Sequence, residues 1–268
     1  MKSTYQPLIS VIINCYNGQK YLRQSIKSVI NQKYKNWEII FFDNSSIDQS
    51  ISIAKSFKSR KIKIFKSKKY LKLYDARNKA IKHAKGKYIS FLDVDDLWHP
   101  NKLSLQIKYL TEKKKKIVYS NYYLLKRKKK YISGFSKLFK EGYVTQNLLD
   151  NYWIGILTVL MSKSLFKKKK FNHKYEIIGD FDFFINLSLT NYICFINKPL
   201  AYYRVHEDNL SKKKIDLWIR ELRDWMKKNN KRFVKKGFKV SNQKKYLYKL
   251  QLKKIFNNLN EKFNFKHI

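Results

Sequence analysis

The stretch Tyr88-Ile89-Ser90-Phe91-Leu92-Asp93-Val94-Asp95-Asp96 predicts a buried strand that ends in three carboxylates. Acidic residues are scarce in this chain, which has 19 Asp and Glu against 60 Lys and Arg, so such a cluster indicates a site rather than ordinary surface. Like charges this close repel one another, and a hard divalent cation between them relieves the repulsion. Open α/β sheets place their ligands beyond the carboxyl ends of their strands. The stretch therefore predicts a metal-assisted site for a phosphorylated substrate.

The residues before this stretch alternate between strand and helix patterns. Residues 8–13 form a nearly continuous β-branched run, which is typical of a strand buried on both faces. Further strands are predicted over 37–42 and 61–65, with helices over 21–32, about 51–57 and 76–84. This order predicts a parallel α/β sheet, so the polar residues that follow its strands should meet at one edge. These residues are Asn14, Tyr16, Asp43, Asn44, Asp93, Asp95 and Asp96.

The composition is that of a folded protein with a substantial core. The chain has 268 residues, 44% hydrophobic and 16% aromatic, which excludes the disordered class. With 7 Gly and 3 Pro, little material is present for a repetitive all-β fold. The two cysteines, Cys15 and Cys194, fit neither a disulfide framework nor a zinc site, and we expect buried thiols in a reducing compartment.

The formal net charge of +41 has three explanations that the sequence leaves open. Lysines are spread over the whole chain and arginine is rarer, as the codon bias of an AT-rich genome would produce. Attraction to an anionic membrane and binding to nucleic acid are the alternatives. No run approaches the roughly 20 apolar residues that span a bilayer, and the N-terminus lacks the apolar core of a secretory signal. We therefore expect a soluble or peripheral protein.

The second half of the chain is less regular. A helix is expected after Pro100, a strand over 117–125, a hairpin-like region after 126, and short strands over 193–196 and 202–206. From residue 212 the pattern is helical, with two apolar stripes. The stripes comprise Ile215, Trp218, Ile219, Leu222, Trp225 and Met226, then Tyr248, Leu252, Ile255, Phe256, Leu259 and Phe263. These two helices are expected either to pack on the rest of the protein or to lie on an anionic membrane.

Several motifs, in order and at matching spacing, resemble the inverting family 2 glycosyltransferases of GT-A fold. The resemblance is dense over residues 7–110, thinner to about 211, and absent from the tail. The matching motifs are Asn14-x-Tyr16-Asn17, Tyr21-Leu22, Ser25-Ile26-Lys27-Ser28-Val29-x-x-Gln32, Glu38-Ile39-Ile40-x-x-Asp43-Asn44-Ser45-Ser46-x-Asp48, Ala76-Arg77-Asn78-x-Ala80-Ile81, Ala84-x-Gly86-Lys87-Tyr88-Ile89 and Asp93-x-Asp95-Asp96.

The resemblance implies an α/β fold with a Rossmann-like, mostly parallel central sheet flanked by helices, followed by a C-terminal helical tail. A catalytic domain is expected over residues 1–211, with a nucleotide-sugar-binding half (1–110) and an acceptor-binding half (111–211). Residues 212–268 would form the helical extension.

The resemblance also implies roles on the donor side. Asp95 would bind a divalent metal, Mn²⁺ or Mg²⁺, and Asp93 would lie nearer the ribose or sugar. Asp96 would bind the metal or support its ligands, or else cap the following helix. The metal would neutralise the charge that develops on the departing diphosphate.

Base recognition would fall to the backbone at Asn14, the ring of Tyr16 and the pair Asp43-Asn44. The second acid of the family pair is an amide in this chain, which both donates and accepts hydrogen bonds. A turn with a helix cap is the alternative role for the pair. Arg77 would reach the phosphate or ribose oxygens, unless it faces solvent.

An inverting transfer also requires a general base for the acceptor hydroxyl. The matching segment is Gly179-Asp180-Phe181-Asp182, in which Gly179 replaces the usual Glu of the family. Asp180 is the candidate base, with helix capping as the alternative, and Asp182 is expected to be structural. His206, in the family-like closing segment Tyr203-Arg204-x-His206-x-x-Asn209-x-Ser211, would approach the metal or diphosphate, or be structural.

The sequence therefore predicts a metal-dependent glycosyltransferase that moves a sugar from a nucleotide diphosphate-sugar, UDP-linked above all, to a hydroxyl of a glycan or lipid-linked glycan. Such an enzyme would serve cell-surface polysaccharide or lipopolysaccharide synthesis. We expect it in the cytoplasm or at the cytoplasmic face of the inner membrane, with an anionic membrane surface as a partner but not nucleic acid. A nucleotide-sugar-binding homologue with little turnover and, from charge alone, a nucleic-acid-binding protein are the alternatives.

Overall fold

The computed structural model describes residues 6–126, 129–132, 140–207, 209 and 214–264, with the backbone alone at 132 and 257–264. Predicted features at Ser211, Leu259 and Phe263 therefore lie outside the described side chains. Within the described part, nine strands form one sheet in the order β3-β2-β1-β4-β8-β6-β9-β5, and β7 pairs with β6.

The first half of the sheet is parallel, as the alternating pattern predicts. β1 (Ile9–Cys15) pairs with β2 (Trp37–Asp43) and with β4 (Tyr88–Phe91), and β2 pairs with β3 (Ile62–Lys66). Side chains alternate between the two faces, so Ile12 enters one apolar cluster and Val11 the other. Because both faces of β1 are covered, its run is apolar at nearly every position.

The other half of the sheet is mixed. The remaining strands are β5 (Leu97–Trp98), β6 (Ile117–Lys126), β7 (Lys129–Ile132), β8 (Leu160–Ser162) and β9 (Ile193–Arg204). β6 runs parallel to β9, whereas the pairs β4·β8, β6·β8, β6·β7 and β5·β9 are antiparallel. The mostly parallel sheet is thus found in the first half only.

One long strand replaces the two short strands expected near residues 193–206. Its pairing with β6 shifts register between Ser120 and Tyr122, opposite Ile196 and Pro199. Proline has no N–H to donate, so the ladder bulges at this point and then resumes. The interruption looks like two strands in the sequence but is one in the structure.

Helices cover both faces of the sheet, so the predicted α/β architecture is confirmed. They are α1 (Gln19–Ile30), α2 (Ser50–Lys55), α3 (Leu73–His83), α4 (Lys102–Glu112), α5 (Thr145–Asp150), α6 (Leu165–Lys168), α7 (Gly179–Ser188), α8 (Ile215–Lys235) and α9 (Ser241–Asn264). No helix in the described part of the chain is long and apolar enough to cross a membrane.

The first C-terminal helix, α8, packs on the sheet domain through its apolar stripe. Trp225 and Phe233 are fully buried, and both belong to the same core cluster as Phe183 of α7. The Glu221 carboxylate accepts the backbone N–H groups of Glu176, Ile177 and Ile178, just before α7 begins. Helix α8 is therefore fixed directly to α7.

The second C-terminal helix, α9, packs through a face other than its predicted stripe. Leu250 and Gln243 are buried. The stripe residues Tyr248, Ile255 and Phe256 are 62%, 54% and 64% exposed. The apolar face of α9 is thus directed outward.

Candidate active site

The carboxyl ends of β1, β2 and β4 bring several predicted site residues to one edge of the sheet. The parallel register sets Cys15 beside Asp43 and Ile12 beside Phe91, so Asn14, Asp43 and the loop after Phe91 are neighbours. This is the edge where an open α/β sheet binds ligands.

At this edge, two buried polar groups have no partner among the described residues. Both side-chain atoms of the Asn14 amide, and Oδ1 of Asp43, are buried without a hydrogen bond. The second oxygen of Asp43 accepts the backbone N–H of Ser46 at 3.1 Å. Since buried polar groups are normally paired, these atoms indicate a place for a polar ligand.

Two exposed aromatic rings flank the same edge. Tyr16 follows β1 and is half exposed, and its ring meets that of Tyr70 edge-on, with centroids 4.8 Å apart. Tyrosine rings of this kind offer a flat apolar surface to a planar ligand.

Asn44 has a different role from the predicted base contact. Its amide donates to the carbonyl of Leu71 at 2.8 Å and accepts the N–H of Leu71 at 3.0 Å. Both ends of the amide are therefore used to hold the loop that carries Tyr70. A carboxylate could not donate to the Leu71 carbonyl, which explains why an amide stands at this position.

Arg77 is buried and bound to Asp93 rather than exposed to solvent. Its guanidinium, on α3, donates to the Asp93 carboxylate at 2.5 Å. The Asp93 side chain is still about a third exposed, at 36%. In this arrangement Arg77 orients Asp93, and a direct contact with the donor remains a prediction.

Asp95 and His206 form the second pair of the acidic loop. The His206 Nε2 lies 2.8 Å from the Asp95 Oδ2, and the amide of Asn209 approaches the same oxygen at 3.5 Å. Burial raises the pKa of the Asp95 carboxyl, as does the charge of Asp93, whereas the hydrogen bond from His206 lowers it.

Asp96 binds the backbone at the end of β9. Its side chain is buried, and its Oδ1 accepts the backbone N–H of Arg204 at 2.8 Å. Burial, with the charges of Asp95 and Asp93, raises the pKa of the Asp96 carboxyl well above its usual value. Asp96 thus joins the acidic loop to the end of β9, a contact that fits the expected role of supporting the metal ligands, while direct binding of a metal stays a prediction.

Two of the residues at this edge are of the types that bind a divalent cation. No group of three potential ligands is assembled within the described residues. Asp95 and His206 nevertheless bring a carboxylate oxygen and an imidazole nitrogen together, with side chains 23% and 15% exposed. This pair supplies two ligands of kinds that divalent metals take in proteins, and a diphosphate and water would supply the others.

Asp180 lies on the first turn of α7, next to Tyr74 of α3. Its Oδ1 accepts the hydroxyl of Tyr74 at 3.1 Å and the N–H of Phe181 at 2.8 Å. Burial raises the pKa of the Asp180 carboxyl, while the charge of Arg77 and these hydrogen bonds lower it. A carboxylate with a raised pKa is suited to accept a proton near neutral pH.

Tyr74 explains the missing Glu at position 179. A Cβ built on Gly179 would lie 2.3 Å from the Tyr74 ring, closer than any normal contact. The ring occupies the space of a side chain at position 179, and its hydroxyl binds Asp180. Asp182 holds neighbouring side chains in place, as expected of a structural residue. Its Oδ1 accepts hydrogen bonds from the indole of Trp225 and from the amide of Asn186.

Three further residues, Tyr70, Tyr74 and Arg204, were missed as site residues by sequence reasoning. Arg204 donates to the backbone carbonyl of Asp95 and to the side chain of Gln24, both at 2.8 Å. Its place in the family-like closing segment was the available signal. Tyr70 and Tyr74 had none, because only the fold brings them to Tyr16 and Asp180.

An open α/β sheet with polar side chains at the carboxyl ends of its strands belongs to the class of folds that bind their ligands at that edge. Residues 10–185 match the model of glycosyl transferase family 2, and the chain belongs to this family. It is therefore a glycosyltransferase, as the sequence motifs predicted.

Two named relatives come from Escherichia coli. One, the UDP-Glc:alpha-D-GlcNAc-diphosphoundecaprenol beta-1,3-glucosyltransferase WfgD, is 31% identical over 77% of this chain and 81% of its own length. The other, WfaP, carries the same activity in its name and is 35% identical over 80% of this chain and 84% of its own length.

Solved structures of low sequence identity share the fold. Staphylococcus aureus TarS 1–349 in complex with UDP-GlcNAc has a TM-score of 0.65 and 15% identity, covering 91% of this chain and 71% of that one. The mannosyltransferase PcManGT from Pyrobaculum calidifontis, in complex with GDP-Man and Mn²⁺, has a TM-score of 0.63 and 16% identity, covering 84% and 66%.

Proposed function

We propose that this glycosyltransferase transfers a sugar, with inversion and with the help of a divalent metal, from a UDP-sugar to a hydroxyl of a lipid-linked glycan. The observation that carries the proposal is on helix α3. Tyr74 binds Asp180, and Arg77, one turn later, binds Asp93. A single rigid element thus links the candidate base to the donor-side acid, as an in-line reaction between two bound substrates requires.

On the donor side, the nucleoside would occupy the edge formed by Asn14, Asp43 and Tyr16. The unpaired Asn14 amide and Asp43 oxygen would hydrogen-bond the base, while the Tyr16 ring packs against it. Asp93, held by Arg77, would bind ribose or sugar hydroxyls. Asp95 and His206 would hold the metal, which when bound supplies positive charge to the departing diphosphate.

On the acceptor side, Asp180 would remove the proton from the attacking hydroxyl. The new bond forms between that oxygen and the anomeric carbon while the bond to the diphosphate breaks. The proton passes to the Asp180 carboxylate, and the bonding electrons leave with the nucleotide. Attack from the face opposite the leaving group inverts the anomeric centre.

The choice of substrates rests on the relatives. WfgD and WfaP are named for transfer from UDP-Glc to a GlcNAc-diphospholipid, and both match most of this chain. We propose the same classes of donor and acceptor, and a role in cell-surface polysaccharide or lipopolysaccharide synthesis.

A lipid-linked acceptor places the enzyme at a membrane, and α9 offers a surface for it. The exposed residues Tyr248, Leu252, Ile255 and Phe256 follow one another at i, i+4, i+7 and i+8. Exposed Lys249 and Lys253 lie beside them on the same helix. An apolar stripe edged by lysine suits the surface of an anionic membrane, which we propose to be the cytoplasmic face of the inner membrane.

The test is transfer by the purified protein to a synthetic GlcNAc-α-diphosphoryl-alkyl acceptor. UDP-Glc, UDP-GlcNAc and GDP-Man would be compared with Mn²⁺, Mg²⁺ or EDTA, and the anomeric linkage determined by NMR. We expect a β-linked product from a UDP-sugar, lost in EDTA and in D95N and D180N, but kept in E112Q, which changes an exposed carboxylate on α4. An α-linked product, or full activity of D180N, would refute the mechanism.

A further inference from the structure

A cavity of about 470 Å³ lies beside Asp180, and its lining residues do not include Asn14, Asp43 or Asp93 of the donor edge. Its wall combines aliphatic, polar and aromatic residues, and the aromatic ones include Tyr122, Trp153 and Tyr203 of the sheet domain together with Trp218 and Tyr246 of the two C-terminal helices. This size and lining are typical of a pocket for a small ligand. Because Asp180 forms part of the wall, an occupant would contact the candidate base.

One lining residue, Gln243, carries a buried polar atom, its Oε1, that has no partner among the described residues. The buried hydroxyl of Tyr152 also belongs to the lining, where burial and an interaction with the Asp180 carboxylate raise the pKa of the tyrosine. The other end of the Gln243 amide donates to the carbonyl of Leu149, which fixes the orientation of the side chain. Because a buried acceptor without a partner is unfavourable, a bound ligand that donates a hydrogen bond to Gln243 Oε1 is favoured.

The C-terminal helices supply one side of this cavity, although they lie outside the residues that match the family model. Trp218 of α8 and Tyr246 of α9 stand with ring centroids 5.9 Å apart. Asn242 of α9 donates to Asp150 of α5 at 2.9 Å, which ties that helix to the opposite wall. The anchoring of α8 through Glu221 holds the other part of the wall against α7.

We infer that this cavity is the subsite for the acceptor sugar and that α8 and α9 determine which sugar it takes. The inference rests on the proposed function, since it assigns the hydroxyl-bearing substrate to the pocket of Asp180. A sugar ring has apolar C–H faces and polar edges. Its faces pack on Trp218 and Tyr246, and its edge donates to Gln243 Oε1 and pairs with the Tyr152 hydroxyl. Gln243 and Tyr152 are specificity-determining residues in this scheme.

The test uses Y152F and Y246A in the full-length protein with the soluble GlcNAc-diphosphoryl-alkyl acceptor. Y152F removes a polar group from the pocket, so kcat/KM for the acceptor should fall about 2- to 10-fold through a higher acceptor KM. Because the hydroxyl also interacts with Asp180, a fall in kcat with an unchanged acceptor KM would count against the subsite. Y246A removes one wall of the pocket, at a residue that is 43% exposed. Here too kcat/KM for the acceptor should fall because the acceptor KM rises. The matched controls Y131F and Y131A change an exposed tyrosine on β7.

The outcomes separate this inference from the function on which it rests. If the wild-type protein transfers sugar and both variants keep the wild-type acceptor kcat/KM, the subsite assignment is overturned. If both variants lose acceptor kcat/KM through a higher acceptor KM but keep the wild-type KM for the UDP-sugar, the assignment holds. If the wild-type protein transfers to no hydroxyl acceptor, the proposed function itself fails.

Discussion

The close approach of Tyr74 to Gly179 predicts that the substitution G179A destabilises the protein. In an ordinary helix, replacing Gly by Ala stabilises by up to about 1 kcal/mol. At position 179 the added methyl would lie 2.3 Å from a ring carbon of Tyr74, whereas normal contacts begin near 3.4 Å. The ring would have to move by about 1 Å in a site where it is only 3% exposed.

The two effects can be weighed against each other. Overpacking a buried site costs about 1–3 kcal/mol, and a displaced ring also loses its hydrogen bond to the Asp180 carboxylate, a further loss of about 1.5–3 kcal/mol if it breaks completely. We therefore expect G179A to lower the free energy of unfolding by about 1–3 kcal/mol, or Tm by about 2–4 °C for each kcal/mol.

Urea and thermal unfolding of G179A, Y74A and the double variant measure this coupling. In the Y74A background the clash is gone, so G179A should become neutral or stabilising. The reasoning is refuted if G179A is as stable as the wild-type protein, or if its effect is the same with and without the Tyr74 ring.

Three more predictions follow from the site and from the C-terminal helices. The hydrogen bond from Tyr74 lowers the pKa of Asp180, so Y74F should raise that pKa. Because Asp180 acts in its deprotonated form, the acid limb of the kcat/KM profile should then move to higher pH. An unchanged acid limb contradicts the role of Asp180 as the base. E221Q weakens the acceptor of three backbone N–H groups and should lower the free energy of unfolding, measured in urea, by about 1–3 kcal/mol. A decrease of less than about 0.5 kcal/mol would show that these hydrogen bonds do not hold α8 in place. I255D should reduce flotation with anionic liposomes at physiological salt, whereas I47D, at a residue 91% exposed elsewhere, should not; equal flotation of both would exclude α9 as the membrane surface.

The family motifs led to the correct class of enzyme because each is local. A buried strand must be apolar along its length, and the polar residues that follow parallel strands must meet at one edge. For this reason the sequence alone predicts the positions of β1, β2 and β4, and with them those of Asn14, Asp43 and Asp93.

Partners of the site residues were harder to foresee. Asn44 was expected to read a base, yet its amide closes on Leu71, 27 residues away. Asp96 was expected to bind a metal, to support its ligands or to cap a helix, and only the fold shows that it holds the backbone of Arg204. The apolar stripe of α9 was identified correctly, but its periodicity does not reveal which face the neighbouring elements leave uncovered.

By itself, the sequence determined the family, the order of the first strands and helices, and the chemical types of the donor-side residues, because these depend on short-range patterns of polarity and spacing. Only the tertiary structure decided that Tyr74 fills the space beside Gly179, that Arg77 serves Asp93, and that α8 and α9 close a cavity beside Asp180. These depend on contacts between residues far apart in the chain, and such contacts are fixed by how the elements pack rather than by any local pattern.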